Sequence, residues 1–113
     1  MVLAEPSWSS AAPAPQTGAV CAILRAETKP GAGEDFAALM SDLAHCVRAE
    51  EPGCDSYVVT RAMGAPAHFA IHARFADWQA FEAHPDTPHM RRRAARINAL
   101  LAAPIAMELF LAV

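Results

Sequence analysis

Apolar residues recur along this chain with two periods, and the switches between them outline its elements. Ala19 to Glu27, AVCAILRAE, alternates as a strand, with Val20, Ala22 and Leu24 opposing Cys21 and Ile23. The cluster TKPGAG, Thr28 to Gly33, closes that run. From about Glu34 to Glu50, Phe36, Leu39, Met40, Leu43 and Val47 form the stripe of an amphipathic helix. Glu34 and Asp35 sit at its N-terminal end, where the helix dipole favours acids. His45 falls off the stripe and reads as a surface residue. Glu50-Glu51-Pro52-Gly53 ends the helix.

Alternation then returns. Cys54 to Met63 is a second strand centred on Tyr57, Val58 and Val59, and Gly64-Ala65-Pro66 is a turn short enough for a hairpin. His68 to Phe75 is a third strand, with His68, Ala70, His72 and Arg74 on one face and Phe69, Ile71, Ala73 and Phe75 on the other. Asp77 caps a short helix, Trp78 to His84, which Pro85 stops. Thr87 offers a second N-cap, and Pro88 suits the first position of a helix reaching about Leu101. Pro104 ends it, and Ile105 to Val113 is a last strand.

This order predicts an α+β domain of ferredoxin-like split βαβ plan, a four-stranded antiparallel sheet with helices on one face. Both faces of the outer strands are largely apolar: Ile105, Met107, Leu109 and Leu111 face one way, and Phe110 the other beside Glu108. Helices cover one face only, so a second copy of the chain is the expected cover for the other, giving a homodimer packed sheet to sheet.

Composition narrows the class. With 113 residues the chain fits one domain, expected over 19–113, preceded by a flexible arm over 1–18 that is rich in Ala, Pro and Ser and carries Trp8. A net charge of -3 gives no reason to expect nucleic acid. No apolar run reaches membrane-span length, and nothing before Arg25 reads as a secretory signal. Cys21, Cys46 and Cys54 lack metal spacing and read as reduced thiols of a cytoplasmic protein.

Four features together resemble the antibiotic biosynthesis monooxygenase family: AEEPGC (Ala49 to Cys54), the tyrosine three residues later, HFAIHARFAD, and the corner His84-x-x-Thr87-Pro88-His89. The likeness runs from about Gly18 to Val113. It implies a dimeric α+β barrel with a pocket between sheet and helices. It also implies oxidation of quinols or polycyclic phenols by molecular oxygen, without metal or flavin. Many relatives read Tyr-Glu-x-Trp where this chain has His72-Ala73-Arg74-Phe75, so a glutamate base in the third strand is absent here. Haem-degrading members typically carry an asparagine in the first strand and a tryptophan in the third; neither is present, and no haem is expected.

Cofactor-free oxygenation needs a base for a phenolic proton, a partner for the resulting anion and a dry pocket. His72 and His84 are the candidate bases, and Arg74 and Tyr57 the candidate anion partners. Trp78, Phe75 and Met40 are candidates for an apolar wall, with His89 a neutral hydrogen-bonding group in the first turn of its helix. Phe81 and Phe36 read as core. No metal site is expected: His68 and His72 lie about 13 Å apart along a strand, and Asp86 is the one carboxylate visibly near His84 and His89. The arginines 91, 92, 93 and 96 read as a solvated helix face. The expected function is a cofactor-independent monooxygenase of a quinol-like or polycyclic aromatic. The alternatives are a non-catalytic small-molecule binder of the same fold, or an isomerase or lyase that needs no oxygen.

Overall fold

A computed structural model describes residues 18–113. The expected arm, except for Gly18, lies outside the described residues, as does Trp8. The elements are β1 (Val20–Glu27), α1 (Gly33–Glu50), β2 (Cys54–Arg61), β3 (His68–Phe75), α2 (Trp78–Ala83), a short 3-10 turn (His84–Asp86), α3 (Pro88–Leu100) and β4 (Ala106–Leu111). They form the expected α+β ferredoxin-like fold, one antiparallel sheet in the order β2-β3-β1-β4.

Strand alternation settles which face is covered. In β3, Phe69, Ile71, Ala73 and Phe75 are buried, whereas His68, His72 and Arg74 are exposed. The helices lie over the first set. Phe36, Leu43 and Val47 of α1 and Ile97 of α3 are almost wholly buried with Ile71 and Phe75. Each such side chain contributes roughly 1.5–3 kcal/mol on leaving water.

Two local expectations change at the corner. The short helix stops at Ala83, and the chain runs on through Pro85 as a 3-10 turn rather than breaking there. Proline is tolerated because the first turn of a helix leaves its N–H groups unpaired. Thr87 occupies the N-cap position of α3 without capping it. Its hydroxyl donates to the carbonyl of His84 at 2.7 Å instead, tightening the corner. Asp77 caps α2 as expected, accepting from the Ala80 N–H at 2.8 Å. Among the described residues, no helix is long and apolar enough to cross a membrane.

Candidate functional site

The site begins where α1 ends. The N–H of Glu51 still donates to the Val47 carbonyl at 2.9 Å, the last bond of the helix. Pro52 then disfavours a helical backbone at the residue before it, and Glu51 takes φ -113° and ψ 89°. The chain turns under the sheet end through Gly53, whose carbonyl accepts from the Ala76 N–H at 2.7 Å. A Cβ on Gly53 would come within 2.7 Å of the Ala80 Cβ. Glycine is what lets α2 and the corner after it close over the turn.

That closure brings three polar side chains together. Glu51 is 9% exposed and His89 3% exposed. The His84 Nδ1 lies 3.0 and 2.9 Å from the two Glu51 oxygens, and the His89 Nε2 lies 2.5 Å from Oε2. A carboxylate only accepts, so both imidazoles donate to it. This assigns the N–H of His84 to Nδ1 and leaves Nε2 as its basic nitrogen. Burial pulls the His84 ring below the ordinary imidazole value. The Glu51 carboxylate pulls the other way, and burial prevails.

His84 forms part of the wall of a cavity of about 100 Å³ between the helices and the sheet, lined also by Tyr57, Phe75, Phe81, Met40 and Met90 among others. Tyr57 is buried, and its ring centroid lies 5.4 Å from that of His84. Burial pushes the Tyr57 phenol well above its usual range, with Cys54 and Glu51 adding to the effect, so it remains a hydrogen-bond donor. The Phe75 ring lies 5.5 Å from His84. His84 and Tyr57 are thus the two polar side chains among the residues that line an otherwise apolar cavity.

The remaining sequence candidates fall elsewhere. His72 and Arg74 are exposed on the opposite face of the sheet, where Arg74 lies 3.5 Å from Asp55. Trp78 stands one layer back, 5.2 Å from the Phe81 ring, while Phe81, which reads as core in the sequence, lines the cavity. The carboxylate beside His84 and His89 is Glu51, not Asp86, which is exposed and faces Arg91. Sequence reasoning missed Glu51 as a site residue; its signal was an acid directly before Pro-Gly-Cys and one turn after Val47, in line with the apolar stripe of α1.

Glu51, His84 and His89 also form a group able to hold a metal ion, with one ligand atom from each all lying within 4.8 Å of one another. Their contacts are at hydrogen-bond length, and an ion there would take the nitrogen lone pairs in place of the protons that the two imidazoles give to Glu51. Two wider clefts lie away from this cluster. One of about 400 Å³ is edged by Arg25, Arg61 and His68, and one of about 280 Å³ runs along β2 and α1. The arginines of the first are already engaged, Arg61 by Glu34 and Arg25 by Glu108.

Comparison with known proteins follows the same outline. The sequence pattern of the family described as antibiotic biosynthesis monooxygenase matches residues 19–96. A structure from Caulobacter crescentus, provisionally designated an antibiotic biosynthesis monooxygenase, is 25% identical with a TM-score of 0.81, over 86% of this chain and 92% of that one. Another structure bearing that family's name is 28% identical with a TM-score of 0.77, over 83% of this chain and 98% of that one. Rv0793 from Mycobacterium tuberculosis, at 24% identity and a TM-score of 0.78, shares the fold over 85% of this chain and 96% of its own. No curated protein matches the sequence.

Proposed function

This chain belongs to the antibiotic biosynthesis monooxygenase family, and from that premise we propose that it is a cofactor-independent monooxygenase of quinol-like hydroxyaromatics, with His84 as its base. The observation that carries the reading is the bond from His84 Nδ1 to Glu51, which leaves Nε2 basic on a ring that walls an apolar cavity. A base acts best when its pKa lies near or below working pH, and burial keeps His84 neutral there. In the proposed step, His84 Nε2 takes the phenolic proton. The Tyr57 hydroxyl donates to the oxygen left behind, and the dry wall keeps the anion reactive. The electron-rich anion then reduces oxygen. A para-dihydroxyarene plus O2 gives a hydroxyquinone plus water, with one oxygen atom in each product and all four electrons from the substrate. Glu51 is a positioning residue that fixes the tautomer of His84, and His89 holds Glu51 in turn.

The homodimer belongs to the same proposal. Val58 and Phe110 are 50% and 48% exposed, and they share the outward face with Cys21 and Ile23. A second copy of that face would cover them.

Oxygen uptake by chelator-treated protein with a hydroquinone, against a no-protein control, tests the reading. Uptake that survives chelation and falls in His84→Ala is the expected result. Uptake lost on chelation and restored by one metal ion would make Glu51, His84 and His89 a metal centre instead. Saturable binding with no uptake would make the protein a binder without turnover.

A further inference from the structure

The cavity is informative in what lines it and what does not. At about 100 Å³ it is smaller than the roughly 150 Å³ dry cavity that accepts one benzene ring, so even a single ring enters only as the walls give, and a fused pair would need a far larger shift. Three of its lining side chains, Met40, Met90 and Met107, are thioethers. These adapt to a guest and make favourable contacts with aromatic rings. Among the described residues, no Lys, Arg, Asp or Glu lines it. Two arginines that touch residues of the site are engaged elsewhere, Arg93 with Asp42 at 2.6 Å and Arg48 with the Tyr57 carbonyl at 3.0 Å. The acid closest in the network, Glu51, stands behind the His84 ring. An anionic guest would thus find no countercharge and would approach a carboxylate. A neutral hydroxyl finds an acceptor in His84 Nε2 and a donor in Tyr57. Burying an unpaired charge costs far more than burying a hydroxyl that is bonded.

We propose that this site selects uncharged, single-ring hydroxyaromatic compounds, of the phenol and hydroquinone class, and turns away both fused-ring and anionic analogues. The proposal rests on the reading of His84 and Tyr57 given above for the orientation of the hydroxyl. It narrows the sequence expectation, which also admitted polycyclic substrates. The size rule comes from the packed walls and the charge rule from the absence of a cation among them; neither depends on oxygen.

The test is therefore binding, measured by calorimetry under nitrogen on the full chain. The ligands are phenol, hydroquinone, 2-naphthol, anthrone and 4-hydroxybenzoate. Phenol and hydroquinone are expected to bind saturably, and the other three roughly tenfold more weakly or worse. Met90→Ala, which removes a half-buried wall, is expected to bring 2-naphthol to within about threefold of phenol while leaving 4-hydroxybenzoate weak. Binding of 2-naphthol, anthrone or 4-hydroxybenzoate to the unaltered protein as tightly as phenol overturns the selection, and so does no saturable binding of phenol or hydroquinone. The oxygen assay separates the two proposals. Selective binding without uptake removes the oxygenase and leaves the selection; uptake with anthrone, together with its tight binding, does the reverse.

Discussion

The two sides of the sheet treat the same residue type in opposite ways. On the outer side His72 stands between Val58 and Ile23 in the cross-strand register, exposed to water. Its neighbour Arg74 pairs with Asp55 across 3.5 Å, with the two side chains 50% and 48% exposed. Such a pair contributes about 0–1 kcal/mol, and water screens whatever field it makes. Over the inner side His84 is 12% exposed, and its Nδ1 is committed to a carboxylate that is 9% exposed. One ring has no partner holding it among the described residues of the protomer; the other has a fixed tautomer and stands in a wall that water hardly reaches. The difference lies in the shell around the imidazole, not in the imidazole.

The sharpest way to break the contrast is to delete each ring. His84→Ala is expected to lower kcat for hydroquinone oxidation by about 10²–10⁴-fold, the usual worth of a positioned base. His72→Ala is expected to change it by less than about twofold, since an exposed residue on the far face touches none of the cavity wall. Steady-state oxygen consumption reads both. If the His72 variant lost as much as the His84 variant, the chemistry would have to be moved to the outer face.

Glu51 comes next, because the inner side depends on it for order. Glu51→Ala leaves two buried imidazole N–H groups without their acceptor, at about 1–3 kcal/mol each. Urea unfolding should show that loss directly, while Asp55→Ala on the outer side should move the midpoint little. A Glu51→Ala protein as stable as its parent would mean that the three side chains do not form the network described.

How far the sequence led is plain from these residues. His72 and Phe75 could be assigned to opposite faces because a strand repeats every two residues, and the helical stripe of α1 likewise placed Phe36, Met40, Leu43 and Val47 inward. Those are local patterns, and the topology followed from their order. Glu51 is different in kind. It lies 33 residues from His84 and 38 from His89, beyond the last turn of a helix whose periodicity has ended. Its spacing from Val47 separates it from the exposed Glu50, but that spacing alone does not say that an acid will be buried or what will face it. Its burial depends on Pro52 redirecting the backbone and on Gly53 admitting α2, effects that appear only when the corner has folded over it. His72 had the converse problem: its face was legible, but which face the helices would cover was a tertiary matter.

The lowered pKa of His84 gives the inner side a pH signature. The folded protein resists protonating this ring, and the unfolded chain takes the proton near the ordinary value of about 6.5. Its contribution to stability is therefore complete above that value. It is lost as pH falls through the interval down to the folded pKa, at no more than about 1.4 kcal/mol per pH unit for one proton. The comparison to make is urea unfolding of the parent and His84→Gln at pH 7.5 and pH 5.5. The parent is expected to lose more stability than the variant between those values, and the acid limb of its activity should lie below pH 6.5. An equal loss in both proteins would remove His84 as the titrating group.

The smallest effect concerns a thiol at the edge of the inner network. Cys54 is half-buried, and its pKa is pushed up to about 11, first by burial and then by the charge of Glu51. At pH 8 that leaves roughly a hundred times less thiolate than an unshifted cysteine carries, while the greater nucleophilicity of a more basic thiolate recovers about eightfold. Alkylation by iodoacetamide, followed by peptide mass spectrometry, should thus run ~10-fold slower at Cys54 than in a free peptide. Slow reaction alone would not separate charge from access. Glu51→Gln does: it removes the charge and keeps the shape, so the rate at Cys54 should rise a few-fold while that at Cys21, on the outer face, stays put. An unchanged Cys54 rate in a variant shown to be folded would mean that burial alone governs the thiol, and that the field of Glu51 does not extend beyond its two histidines.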